Sequence, residues 1–269
     1  MLAYIHWDID PRILVIGDFE LRYYGLLFAS GFFAGYYIMH SIFKREGIPL
    51  KELDLLTTLI VIGTIAGARL GHVFFYQPGY FLANPLEILM VWHGGLASHG
   101  GAIGILLALI YYRPRSKKRS YLWILDRLVI ATALAGGFIR LGNLMNSEII
   151  GKPTMLPWAF IFSQHDLIPR HPAQLYEALV YFIIALILYW IYRKHKRQPP
   201  RGRILGWFFI SVFGARFLIE FLKIDQADHT ASMLFNMGQW LSIPFILAGV
   251  VLLYFSFSRK ALQKEKTSI

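Results

Sequence analysis

No cysteine occurs among the 269 residues. Disulfides, thiolate metal sites and a cysteine nucleophile are therefore excluded. Charge is scarce too. Asp, Glu, Lys and Arg make up 16% of the chain, against about 25% in ordinary soluble domains. No His-x-x-x-His pair or acidic cluster accompanies the histidines, which argues against a metal site. No internal repeat is visible, which weighs against a transporter built from inverted halves. The N-terminus lacks the basic-then-apolar order of a cleaved signal peptide, so the first apolar helix is expected to be retained.

Apolar residues take the place of charge. The chain is 56% hydrophobic and 16% aromatic. They gather into runs near 23–43, 53–76, 96–112, 121–141, 174–192, 204–222 and 237–257. Each run is long enough, or nearly so, to cross about 30 Å of hydrocarbon, and the third is the shortest. Residues 1–22 read as an interfacial segment. The expected fold is an all-α polytopic membrane protein with about seven transmembrane helices and structured extracytoplasmic loops. It reads as a single integral membrane domain over 1–269, with arm and head segments at 77–95 and 151–173 within it.

A net charge of +11 would suggest nucleic acid in a soluble chain. Here its distribution has another cause. Loops 44–52, 113–119 and 193–203, with the C-terminal tail, hold 18 of the 27 Lys and Arg residues. Basic loops stay cytoplasmic. The N-terminus is thus expected outside, the C-terminus inside, with no nucleic-acid partner. The opposite loops are long and rich in proline and aromatics, so function is expected on the outer face.

The polar residues inside apolar runs cluster toward that face. The run 122–139 leads into Gly136–Gly151, where Arg140, Asn143, Asn146 and Glu148 fall within nine residues. A charge at bilayer depth costs about 2.5–3.5 kcal/mol on insertion scales, so such a group normally faces a cavity or a partner. Arg69 lies beside glycines at 63, 67 and 71, a spacing that lets membrane helices approach closely. His93 and His99 flank a glycine-rich opening of the third run, and His99, set among the glycines, is the better candidate base. Gln174 and Glu177 open the fifth run and could serve a cavity or only the helix end. Arg216 and Glu220 stand four apart and could pair with each other. Guanidinium groups suit bidentate binding of phosphate, so a phospholipid headgroup is a fitting ligand. Two other readings stand beside this one. An anion transporter would need polar residues reaching the inner face, with Asp126 and Arg127 the main candidates. An intramembrane hydrolase would need a dyad, and only the neighbours Ser98 and His99 offer one.

Six ordered blocks resemble the prolipoprotein diacylglyceryl transferase family. They are Tyr24-Gly25-Leu26, Gly67-Ala68-Arg69-Leu70-Gly71, Gly94 to Gly100, Arg140 to Gly151, His171-Pro172-Ala173-Gln174-Leu175-Tyr176-Glu177, and Arg216 with Glu220. Ala173 stands where a Ser is common and Lys223 where an Arg is common. Val212-Phe213 lacks a Tyr often found there. The resemblance implies transfer of a diacylglyceryl group from phosphatidylglycerol to the lipobox cysteine thiol of a preprolipoprotein, without a cofactor. It places catalytic roles on His99, Arg140, Arg216, Glu148 and Glu220. Substrate-binding roles are expected for Tyr24, Arg69, Asn143, Asn146, Gly151 and Gln174. The expected partners are phosphatidylglycerol and lipobox-containing preprolipoproteins, in the bacterial plasma membrane.

Overall fold

The computed structural model describes residues 4–17, 19–91, 94–116, 119–195, 199–224 and 235–267. His93 lies outside them. The chain packs as two compact units, residues 1–39 with 125–269, and residues 40–124.

Helices dominate both, as the apolar runs predict. Six of them are long and apolar enough to cross a membrane: α1 (Tyr23–Glu46), α2 (Leu50–Phe75), α5 (Tyr121–Met145), α6 (Ala173–Lys194), the stretch Arg203–Leu222, and α9 over Met237–Ser258. The run at 96–112 departs from expectation. It forms α4 (Ser98–Tyr112), of 15 residues. At 1.5 Å per residue that is about 22 Å, short of the hydrocarbon thickness. Six long spans thus stand among the described residues, and the expected count of about seven is not confirmed by length. The sixth stretch is not one regular helix either. It runs through α7 (Arg203–Phe208), a π-helical turn (Phe209–Phe213), α8 (Gly214–Ile219) and a 3-10 turn (Glu220–Leu222).

Residues 1–22 form strands as well as interfacial chain. In the first unit, β1 (Ile5–Trp7) pairs parallel with β4 (Phe160–Phe162), which pairs antiparallel with β5 (Pro169–Arg170). The strands β2 (Arg12–Ile16) and β3 (Phe19–Arg22) make a separate hairpin. The three-stranded sheet covers a small core of Leu144, Ile150, Phe160 and Phe162, with Trp7, Leu175 and Ile224 against it. The Trp7 indole N–H donates to the Leu144 carbonyl at 3.0 Å, beside the Ser147 N–H that the same carbonyl accepts at the end of α5. This sheet therefore seats the loop that follows α5. Elsewhere in this unit, Asp126 accepts from the Gly202 and Leu205 N–H groups at 2.7 and 2.9 Å. A buried carboxylate spent on capping α7 offers nothing to a solute pathway.

In the second unit, α2 and α4 pack through small residues. A Cβ added at Gly63 would lie 2.6 Å from the Gly104 carbonyl, and one at Gly71 would lie 2.7 Å from the Gly100 Cα. The spacing of glycines at 63, 67 and 71 is accounted for by this close approach. The arm follows α2: α3 (Pro78–Ala83), then a 3-10 turn (Pro85–Leu89).

Candidate active site

The last turn of α5 carries the polar cluster of the first unit. Arg140, Asn143 and Asn146 are three apart, so they share one helical face. The Arg140 Nη1 donates to Asn143 Oδ1 at 3.2 Å. Asn143 Nδ2 donates to Glu148 Oε2 at 2.8 Å, and Asn146 Nδ2 to Glu148 Oε1 at 3.0 Å. Two amide donors fix the carboxylate of Glu148, an exposed residue on the loop just past the helix. The helix ends abruptly to put it there. Ser147 and Ile149 both take positive φ, 52° and 56°. For a β-branched residue that is a sterically unfavourable conformation, held only by its surroundings.

Those surroundings are dense. The Glu148 N–H donates to the Asn143 carbonyl at 2.9 Å, and the Gly151 N–H to the His171 carbonyl at 3.0 Å. The Gln174 side-chain amide donates to the Glu148 carbonyl. A Cβ on Gly151 would meet the Leu222 carbonyl at 2.9 Å and would press still harder on His171. Gly151 is thus a site of backbone close approach, and its N–H is already spent. Tyr24 lies with its ring against Gly142, where a Cβ would come within 2.8 Å of it.

Beneath this loop runs a chain of buried charge. Arg140 Nε lies 2.9 Å from Glu177 Oε2, Glu177 Oε1 accepts from Lys223 Nζ at 2.9 Å, and Lys223 also reaches Glu220 Oε2 at 3.1 Å. Glu177 is 0% and Lys223 3% exposed. The alternating charges sum to zero, which is what makes such burial tolerable. This corrects the expected pairing of Arg216 with Glu220. Lys223, three residues on in a tightened turn, takes Glu220 instead. The Arg216 Nε is buried without a hydrogen-bond partner among the described residues, and no carboxylate among them lies within ion-pair distance of the guanidinium. Glu177, read from the sequence as either a cavity or a helix-end residue, is central here. Lys223 enters the sequence analysis only as a residue standing where an Arg is common, with no role attached. Its one signal was its setting, a lysine inside Phe221-Leu222-Lys223-Ile224.

Two expected site residues belong to the second unit. Arg69 is 4% exposed. Its Nε donates to the Ile88 carbonyl at 3.0 Å, its Nη1 to Gly94 and Gly95 at 2.6 and 3.3 Å, and its Nη2 to the Glu87 carbonyl. The fork expected for a substrate is thus turned onto the arm backbone. A cleft of about 820 Å³ opens beside it, walled by His72, Tyr76, Tyr80 and Phe81. Within it the Tyr80 hydroxyl donates to Glu87, which raises the tyrosine pKa. His99, exposed on the first turn of α4, packs against Phe75 and Tyr76 with ring centroids 5.3 and 5.9 Å away.

The family model described as prolipoprotein diacylglyceryl transferase matches residues 11–255. The chain belongs to the prolipoprotein diacylglyceryl transferase family. A relative from Chloroherpeton thalassium is 49% identical over 266 residues, which is 99% of this chain and 98% of its own. One from Tolumonas auensis is 49% identical over 257 residues, 96% and 99% of the two chains. One from Bacteroides fragilis is 40% identical over 275 residues, 98% and 99%. All three bear the name phosphatidylglycerol–prolipoprotein diacylglyceryl transferase. A family whose named lipid carries a phosphate agrees in chemistry with a polar cluster that holds an arginine without a carboxylate partner among the described residues.

Proposed function

We propose that this membrane transferase moves the diacylglyceryl group of phosphatidylglycerol onto the lipobox cysteine of a preprolipoprotein. The observation that carries the reading is the near-full-length likeness to relatives bearing that name. In the reaction the cysteine S–H loses its proton and sulfur attacks the glyceryl carbon that bears the phosphate ester. The C–S bond forms, the C–O bond breaks, and glycerol phosphate departs with the electron pair. A free thiol has a pKa of about 8.5, so a base or a positive field helps form the thiolate.

Arg216 and Arg140 bind the phosphate and stabilise the charge that grows on it as the ester bond breaks. Arg216 brings a cation without a carboxylate partner among the described residues. Arg140 is held at the right place by Glu177 and Asn143. Glu148, Asn143, Asn146 and Tyr24 orient the reactants, and the Lys223–Glu220 pair supports Arg140 through Glu177. His99 acts as base, on the strength of the resemblance. Arg69 holds the arm rather than the lipid. The chain sits in the plasma membrane, with α4 as a short seventh crossing, the N-terminus outside and the C-terminus in the cytoplasm.

Thin-layer analysis of membranes incubated with labelled phosphatidylglycerol and a lipobox peptide tests the reaction. Label is expected on the peptide, in a bond stable to hydroxylamine. Free diacylglycerol or fatty acid with no peptide label would refute it. A reporter fused after Ile269 is expected to be active only if it is of a cytoplasmic type.

A further inference from the structure

The inference rests on the function just proposed and concerns Gln174. Its side chain is 0% exposed. Its Nε2 donates to the main-chain carbonyl of Glu148, between two residues of positive φ. Its Oε1 has no hydrogen-bond partner among the described residues. The other tethers of this turn are backbone groups or the Glu148 side chain's own amide donors. Among the described residues, Gln174 is the one tether that comes from another helix, α6, and grips the turn at Glu148 itself.

We propose that Gln174 is a positioning residue that keeps the Ser147–Ile149 turn in its unfavourable conformation and thereby aims the Glu148 carboxylate. The sequence reading gave Gln174 a contact with substrate. The geometry gives it a contact with backbone. Without that N–H the Glu148 carbonyl would lose its partner, and a backbone that L side chains rarely adopt would relax. The carboxylate would then swing away from Asn143 and Asn146. Misplacement of a catalytic group by about 1 Å is enough to lower turnover by roughly 100-fold.

The distinguishing test is a rescue. Glycine adopts positive φ as readily as negative, so Ile149→Gly removes much of the need for a tether. The full-length enzyme in phosphatidylglycerol vesicles is assayed as wild type, Gln174→Leu, Ile149→Gly and the double variant. Gln174→Leu is expected to lose about 100-fold in kcat with little change in KM for the lipid. The double variant is expected to regain about tenfold of that loss, the scale of relief of one sparsely populated backbone state. A raised KM with no rescue would overturn the proposal and return Gln174 to the substrate. Should Gln174→Leu fold poorly, Gln174→Glu serves instead. It donates to the Glu148 carbonyl only when protonated, so its kcat relative to wild type should rise as pH falls, and a flat ratio counts against the tether. Hydrogen exchange across 147–151 reads the turn with no turnover at all. Faster exchange in Gln174→Leu supports the tether even if the wild type transfers no lipid, a result that would fault the proposed reaction alone. Unchanged exchange overturns it.

Discussion

Arg69 and Arg140 are both arginines near the end of an apolar helix, and the two units use them in opposite ways. Arg69 gives its donors to four backbone carbonyls of the arm and touches no carboxylate. Its charge is spread over dipoles, and little donor capacity remains for a ligand. Arg140 meets side-chain groups, the Glu177 carboxylate, the Asn143 amide and the Tyr181 hydroxyl, inside a network whose charges balance. Arg216 nearby keeps a buried donor unpartnered. A guanidinium has five N–H donors, and what matters is where they go. Filled by backbone, the arginine is a strut. Left partly free beside a balanced network, it keeps donors for a ligand, as proposed for Arg216.

The largest effect that sharpens this contrast is on turnover. Lysine keeps the charge but loses the fork. Arg140→Lys should lower transfer by about 10²–10³-fold, the scale of removing one aligned donor from a developing anion, in protein that still folds. Arg69→Lys should leave kcat much closer to wild type and instead loosen the arm, read as new proteolytic cleavage within 77–91. The reverse order of damage would exchange the roles of the two residues. Next in size is stability. Lys223→Met leaves buried Glu177 with Arg140 alone and half-buried Glu220 without its lysine, and should destabilise by about 3 kcal/mol in thermal unfolding. Lys223→Arg, the residue common at this place in the family, should be tolerated. A smaller effect is expected at the head. The Arg170 guanidinium beside Asp166 lowers the carboxyl pKa below its ordinary 3.8. A lowered folded-state value stabilises above the unfolded pKa, and that stability is lost as pH falls through the folded value. Asp166→Asn should therefore shift the melting temperature slightly at pH 7 and not at all well below pH 3.8. An equal shift at both would mean packing rather than charge.

Much of this was legible in sequence because membrane proteins write their spans in composition. Six apolar runs became long helices, and the glycines at 63, 67 and 71 became a packing face. The polar stretch after α5 was legible because Arg, Asn and Glu are costly there. What stayed hidden depends on contacts between residues far apart in sequence. Arg69 reads as a ligand residue until the arm carbonyls, some 20 residues on, are seen to occupy it. The pairing of Glu220 with Lys223 rather than Arg216 depends on a turn that tightens at the end of α8. The strands at 5–7 and 160–162 pair across more than 150 residues, and three-residue strands leave little periodicity to read. The unfavourable φ at Ile149 has no sequence signal, since neighbouring structure imposes it.

Phosphate binding by Arg140 and Arg216 carries the proposed mechanism. It is tested most directly by solving the structure with phosphatidylglycerol bound. The account expects the lipid phosphate within about 3 Å of both guanidinium groups, the distance of a charge-assisted hydrogen bond, with Arg69 still on the carbonyls of Glu87, Ile88 and Gly94. A phosphate seated on Arg69, with Arg216 remote from any lipid oxygen, would contradict it.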